Sequence, residues 1–239
     1  MAFACLTAGA QLTTITIQEG FTTVSGTSDN TIYEGAAYET HSNGGGQSII
    51  VGKTGATASG ALRRGLILFD LSSLPANIQI VDVTLSLNAT SSVASAIPIE
   101  AFRLTNTWGE GTVDTGGPAD DTEGQGEQAA TGDATWLQNH YNVSNWTTPG
   151  GDFATPASGS GIVPLAGPTH IRGAGMIADV QAWANGSQPN NGWILRIDEV
   201  TSQSAKRFAS AENATIALRP ALVITYQPVT EVARAQWPE

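Results

Sequence analysis

Apolar and polar residues alternate over short stretches along most of the 239-residue chain. Leu12 to Gln18 (Leu-Thr-Thr-Ile-Thr-Ile-Gln) has the pattern of a half-buried strand with one break. Ser48–Val51 is a short apolar run, and Leu62–Leu71 contains Gly-Leu-Ile-Leu-Phe. Ile78–Leu87 alternates cleanly in its second half, which predicts Val81, Val83, Leu85 and Leu87 on one face and Asp82, Thr84 and Ser86 on the other. Ile97–Leu104, Trp193–Ile197, Arg207–Ser210 and Ala221–Tyr226 complete the set. Gly, Pro or Asn separates the runs, so the spacing predicts an all-β protein, an antiparallel β-sandwich of jelly-roll type. One segment departs from this period. Met176, Val180 and Trp183 recur at helical spacing with Ile177 beside them, and Asn185-Gly186 follows as a stop, which predicts one short helix over Met176–Ala184. Nothing repeats at a fixed period, which excludes a solenoid.

The middle of the chain is a long Gly/Asp-rich loop. Between Leu104 and Ile171 there is no Lys or Arg but eight acids: Glu110, Asp114, Asp120, Asp121, Glu123, Glu127, Asp133 and Asp152. A loop of that length inside a domain is functional or disordered, and the tryptophans at both ends indicate that it packs in part on the sandwich. Asp120, Asp121 and Glu123 lie close enough to share calcium, a hard cation that takes about six to eight oxygen ligands, although their spacing matches no EF-hand. Trp108, Trp136, Tyr141 and Trp146 are the candidates for an exposed platform on which a sugar ring could stack. Aromatic residues near loops also serve to cover a sheet. Trp183, on the apolar side of the helix, and Trp193, opening a buried strand, read as core.

Charge and composition narrow the partners. Only 13% of residues are charged, about half the usual ~25%, which argues against coiled coils and charge-rich disorder. The net charge is −11. Nucleic-acid binders need a basic footprint to neutralise phosphates, so DNA and RNA are excluded as expected partners, and there is no polybasic segment for anionic lipid. No apolar run approaches the ~18 residues that span a bilayer, so no membrane insertion is expected. Cys5 is the sole cysteine, which rules out an intrachain disulfide. Residues 1–10 are small and apolar and end in Ala8-Gly9-Ala10, resembling the end of a secretory signal. The expected organisation is a signal-peptide remnant or N-terminal tail over 1–11, the sandwich over 12–227 and a C-terminal tail over 228–239. Asn88, Asn142, Asn145, Asn185 and Asn213 each open an Asn-x-Ser/Thr sequon.

Motifs of catalysis are not assembled. Gly52-Lys53-Thr54 imitates the end of a phosphate-binding loop, but Gln47 stands where the upstream glycine belongs and a strand replaces the Gly-rich loop. There is no Gly-x-Ser-x-Gly elbow and no His-Glu-x-x-His. His41, His140 and His170 are scattered, so no hydrolytic triad and no catalytic residue is assigned.

Several ordered stretches carry a resemblance. They are Asp29-Asn30-Thr31-Ile32-Tyr33-Glu34; Ser42-Asn43-Gly44-Gly45-Gly46; and Leu62-Arg63-Arg64-Gly65-Leu66-Ile67-Leu68-Phe69-Asp70-Leu71-Ser72-Ser73-Leu74-Pro75. Phe102-Arg103-Leu104 follows with Trp108-Gly109-Glu110-Gly111, then Gly132-Asp133-Ala134-Thr135-Trp136-Leu137. Asp179-Val180-Gln181-Ala182-Trp183, Asn191-Gly192-Trp193-Ile194-Leu195, and Arg207-Phe208-Ala209-Ser210-Ala211-Glu212 leading to Arg219-Pro220 close the series. Together they are similar to the disaggregatase-related (DNRLRE) domain family of secreted β-sandwiches. The glycine run Gly44–Gly46, where many members carry an Asn-Tyr-Gly turn, and the long middle insertion depart from the family pattern. Each stretch also has a structural use: Asp70 or Ser72 suits the cap of a turn, and Arg207, Glu212 and Arg219 suit ion pairs at sheet edges.

The resemblance implies an extracellular domain akin to carbohydrate-binding modules, some relatives being associated with acidic polysaccharides such as alginate. It supplies no catalytic residues. The expected function is therefore a non-catalytic module, secreted or on the cell surface, that binds polysaccharide or a cell-surface glycan or mediates adhesion. Calcium is the one cofactor considered. Two alternatives stand beside it: a subunit of an extracellular filament or matrix, a homo-polymer assembled by strand addition through the tails, and a polysaccharide-degrading enzyme.

Overall fold

The computed structural model describes residues 11–21, 26–55, 61–92, 95–114 and 121–229, the side chains of residues 91, 92, 121 and 122 excepted. The N-terminal segment through residue 10, the tail from residue 230, Asp120 and the side chain of Asp121 lie outside the described residues.

Chain order runs β1 (Thr13–Gln18), β2 (Thr27–Tyr33), β3 (His41–Ser42), β4 (Ser48–Lys53), β5 (Leu62–Phe69), β6 (Ile78–Ser92) and β7 (Ile97–Arg103). Four short strands or strand pairs occupy the loop region and its exit: β8 (Glu127–Gln128), β9 (Gln138–His140), β10 (Ser144–Asn145) and β11 (Gly159–Val163). β12 (Gly167–Ile171), the helix α1 (Ala174–Ala184), β13 (Trp193–Ile197), β14 (Lys206–Ala209) and β15 (Ala221–Pro228) complete the order. The large strands form one continuous antiparallel path, β1-β15-β6-β14-β4-β5-β13-β7-β11, with β12 also on β6 and β2 also on β5. The path folds over so that β1, β15, β6, β14 and β12 make one layer and β2, β5, β13, β7 and β11 the other. Between them lies the main core, including Ile17, Leu85, Phe208 and Leu222 from the first layer and Ile67, Phe69, Ile99, Trp193 and Leu195 from the second. This is the all-β sandwich with one helix and a long loop that the sequence pattern predicts.

Strand β6 shows how the layers curve. Its pairing with β15 shifts register between Thr225 and Tyr226, opposite Asp82 and Ile80. Ile78 and Ile80 point inward before the irregularity, and Val83, Leu85 and Leu87 after it. Val81 is therefore 40% exposed, not on the inner face that simple alternation assigns to it. A bulge inserts one residue and reverses the phase of the pleat, and it also adds twist.

The helix buries Met176, Asp179, Val180 and Trp183 against the core at i, i+3, i+4 and i+7, as an amphipathic helix should. It stops where Asn185-Gly186 predicts: Gly186 takes φ +70, its N–H reaches Trp183 O (3.1 Å), and Ser187 N–H reaches Ala182 O (2.9 Å), a Schellman motif. Gln181 ties the helix to β6, accepting from Ile80 N–H (2.8 Å) and donating to Ile78 O (3.1 Å).

The second layer is buried on both faces. Alternate residues of β5, β7 and β13 enter the main core, whereas Leu66, Phe102 and Ile194, joined by Ile32 of β2 and Leu104, form a second cluster on the outer side. That explains the unbroken Trp193-Ile194-Leu195 run, since a strand covered on both faces has no reason to alternate.

Candidate functional site

The cover of the second cluster is the acidic loop itself. Trp136 and Trp146 are 7% and 4% exposed and pack with Ala134 on Leu66 and Ile194. The Trp146 indole donates to Thr135 O (2.8 Å), and Arg64 stacks on Trp136 at 4.8 Å from the ring centre. Trp108, half-buried, packs at the margin of the cluster and donates to Asn191 O (2.9 Å). Tyr141 is half-buried, its backbone closing the Gly132–Asp133 turn by Tyr141 N–H to Asp133 O (2.7 Å). The platform expected from Trp108, Trp136, Tyr141 and Trp146 is thus not an exposed plane. Sheet residues Leu66, Phe102 and Ile194 leave an apolar outer face that must be covered, and the two buried indoles supply the area. Trp183 and Trp193 are core, with ring centres 4.7 Å apart.

The loop returns along β7, where Leu104 bridges Phe153, Thr105 N–H donates to Asp152 O (3.0 Å) and Ala154 N–H to Arg103 O (2.9 Å). This juxtaposition opens a cleft of about 490 Å³ lined by Thr105, Asn106, Thr147, Thr148, Gly151, Asp152 and Phe153. Asp152 organises it. Its carboxylate accepts from Thr147 N–H (2.7 Å), Thr148 N–H (2.8 Å) and Asn106 Nδ2 (2.7 Å). Burial alone would raise its pKa, but these hydrogen bonds outweigh burial and hold the carboxyl below its ordinary value. Phe153 is fixed from behind by Phe102 (ring centres 5.2 Å apart) and by the guanidinium groups of Arg196 (5.2 Å) and Arg64 (5.7 Å). Both arginines converge on Glu199, Arg64 at 2.7 Å. Burial pushes Glu199 up, yet the Arg196 and Arg64 hydrogen bonds and charges prevail and keep it ionised below the usual range.

The sequence gives no sign of a second assembly, a carboxylate junction at β2. Asp29 is 1% exposed and accepts from Ala211 N–H (2.7 Å), while its own N–H donates to Glu110 (2.8 Å). Glu212 adjoins them, and its Oε2 is buried without a hydrogen-bond partner. Burial, then the charges of Glu212 and Glu110, push Asp29 well above its ordinary value against the Ala211 hydrogen bond. Glu212 is raised to about 7, by burial first and then by the Glu110 charge. Burial also raises Glu110, against hydrogen bonds from Asp29 N–H and Ser28. Perturbed carboxylates often mark acid–base sites, but here the central one has no face open to a substrate.

The neighbouring residues of the Asp29–Glu34 stretch all have structural partners. Asn30 donates to Ser42 Oγ (2.8 Å), Glu110 O (3.0 Å) and Ala134 O (3.2 Å) and accepts from Asn43 N–H (2.9 Å). Thr31 accepts from Ile50 N–H (2.9 Å), and Tyr33 donates to Glu123 O (2.8 Å). The glycines at 44 and 45 let the strap 109–113 lie directly on this turn: a Cβ at Gly44 would collide with the Glu110 carbonyl and one at Gly45 with that of Thr112.

Of the three acids considered for calcium, Glu123 is buried and engaged, accepting from Gln47 N–H (2.6 Å) and pairing with Arg207 (3.5 Å). Among the described residues no group of three or more His, Cys, Asp or Glu side chains is placed to hold a metal ion. Asp70 caps its turn as expected, accepting from Ser72 N–H and Oγ (both 2.8 Å). No helix among the described residues is long and apolar enough to cross a membrane.

The chain matches no known protein-family model and no curated protein.

Proposed function

We propose that this protein is a secreted, non-catalytic module that binds polysaccharide in the Asp152 cleft, in keeping with its resemblance to the disaggregatase-related domains. The observation that carries the reading is the convergence of Thr, Asn and Asp groups beside the Phe153 ring in one open recess. Hydroxyl and carboxamide groups exchange hydrogen bonds with sugar hydroxyls, an ionised carboxylate accepts from them, and a ring offers an apolar surface to the pyranose C–H groups. The volume falls within the range of about 300–1,000 Å³ usual for ligand sites. A binding role fits better than hydrolysis because Asp152 is the one carboxylate lining the cleft, whereas glycoside hydrolysis ordinarily uses two. An acid held ionised is also a poor proton donor.

Glycan arrays and polysaccharide pull-downs, run with calcium and with a chelator, test the reading. Thr105→Val combined with Thr148→Val removes two rim hydroxyls, the first of which donates to the Asp152 carbonyl (3.2 Å), and leaves the hydrogen bonds of the Asp152 carboxylate in place. Binding should weaken about tenfold or more, as expected for one or two lost hydrogen bonds, with Tm little changed. Absence of binding to every polymer, or a double variant that binds like the parent, would overturn it.

A further inference from the structure

Two separate segments close over β2 at the carboxylate junction, the strap through Glu110 and the turn through Ala211 and Glu212, and both meet Asp29 of β2. Ala211 N–H to Asp29 and Asp29 N–H to Glu110 are ties made by the carboxylates themselves, beside the Asn30 Nδ2 bond to the Glu110 carbonyl. Charge compensation is meagre. Among the described residues none of the three carboxylates forms an ion pair. Arg219 faces Glu212 from the following turn, but its Nε is spent on Asn213 O (2.8 Å) and an Nη on Glu19 O (3.4 Å). Glu19, the other charged group facing the junction, adds a further negative charge beside Glu110. Three carboxylates at close quarters in a poorly solvated site cannot all ionise cheaply.

We infer that Asp29, Glu110 and Glu212 form a proton-holding latch, in which at least one retained proton keeps the strap and the 210–219 turn docked on β2 and whose loss on alkalinisation loosens them. The partnerless, buried Glu212 Oε2 is where a proton has most to contribute, since it removes a negative charge that neither solvent nor a hydrogen-bond donor compensates there. The direction follows from linkage. The folded state holds protons that the unfolded chain releases near the ordinary carboxylate range. The latch therefore stabilises fully at pH values below that range and loses its contribution as pH rises through about 7. The latch is independent of the glycan reading, since none of Asp29, Glu110 and Glu212 lines the Asp152 cleft.

Amide hydrogen exchange followed by NMR on the full chain, between about pH 5 and 8.5 and corrected for intrinsic rates, tests the latch. In the parent, protection of the Ala211 N–H should fall about tenfold or more across that range, the equivalent of one pKa unit of linkage. Protection of Leu85 in the core should fall less. Glu212→Gln, which removes the charge and keeps the shape, should flatten the Ala211 profile, and Asp29→Asn provides a second variant should the first perturb the turn. Glu127→Gln, at an exposed position, removes one charge elsewhere and should leave the parental profile intact. A pH-independent Ala211 in the parent would overturn the inference. So would a profile equally steep in both junction variants, or one flattened as much by Glu127→Gln.

Discussion

At the scale of single residues, the loop tryptophans are anchors. Trp146→Ala removes a buried indole and leaves Thr135 O without its donor, so thermal denaturation should show a loss of about 3–5 kcal/mol, as for other large aromatic truncations. Trp136→Ala should cost a similar amount and also remove the ring on which Arg64 stacks. Equal stability of either variant and the parent would show that these rings lie outside the core. Glu199 belongs to the same kind of argument: it alone receives both Arg64 and Arg196. Glu199→Gln should lower stability by about 1–3 kcal/mol, the cost of leaving charged hydrogen-bond donors underpaired. The effect should be smaller under acid conditions, where the parental carboxylate is itself protonated.

At the scale of elements, two close approaches decide how pieces meet. Gln181 answers two backbone groups of β6 from the helix, capping a strand edge that pairing with β15 leaves open on that side. Gln181→Ala strands an N–H and a C=O, and urea denaturation should register a loss of about 1–3 kcal/mol with an unchanged m-value. The strap depends instead on the absence of side chains. Gly44→Ala places a Cβ against the Glu110 carbonyl, so it should destabilise by about 1–3 kcal/mol through forced backbone movement. Local hydrogen exchange should rise first over 109–113.

At the scale of the whole molecule, the titrating groups pull in opposite directions. Glu199 and Asp152 are held below their ordinary values, so their contribution is complete above the ordinary carboxylate range and lost as pH falls through it. Asp29, Glu110 and Glu212 are raised, and their contribution is lost as pH rises above the ordinary carboxylate range, for Glu212 through about 7. Tm should therefore peak in mildly acidic solution and decline on both sides. A Tm that climbs steadily from pH 5 to 9 would contradict this balance.

The amino-acid pattern by itself determined what local periodicity can encode: β1, β4 to β7 and β13 to β15, the helix ended by Asn185-Gly186, the Asp70 turn and the packing of the loop region onto the sandwich, but not β2, β11 or β12, whose polar and glycine-rich sequences carry no apolar period. These follow from short-range sterics and from the period of apolar residues. Three matters were decided by tertiary structure alone. The bulge opposite Thr225–Tyr226 reversed the faces of β6, because register depends on the partner strand and not on the strand's own residues. The loop tryptophans turned inward because the outer side of the second layer is apolar, a fact visible only once β2, β5, β7 and β13 lie side by side. Asp29, Glu110 and Glu212, which are 81 and 102 positions apart in turn along the chain, became neighbours because two segments close over one strand. Electrostatic coupling depends on distance through space, and the order of residues along a chain does not contain that distance.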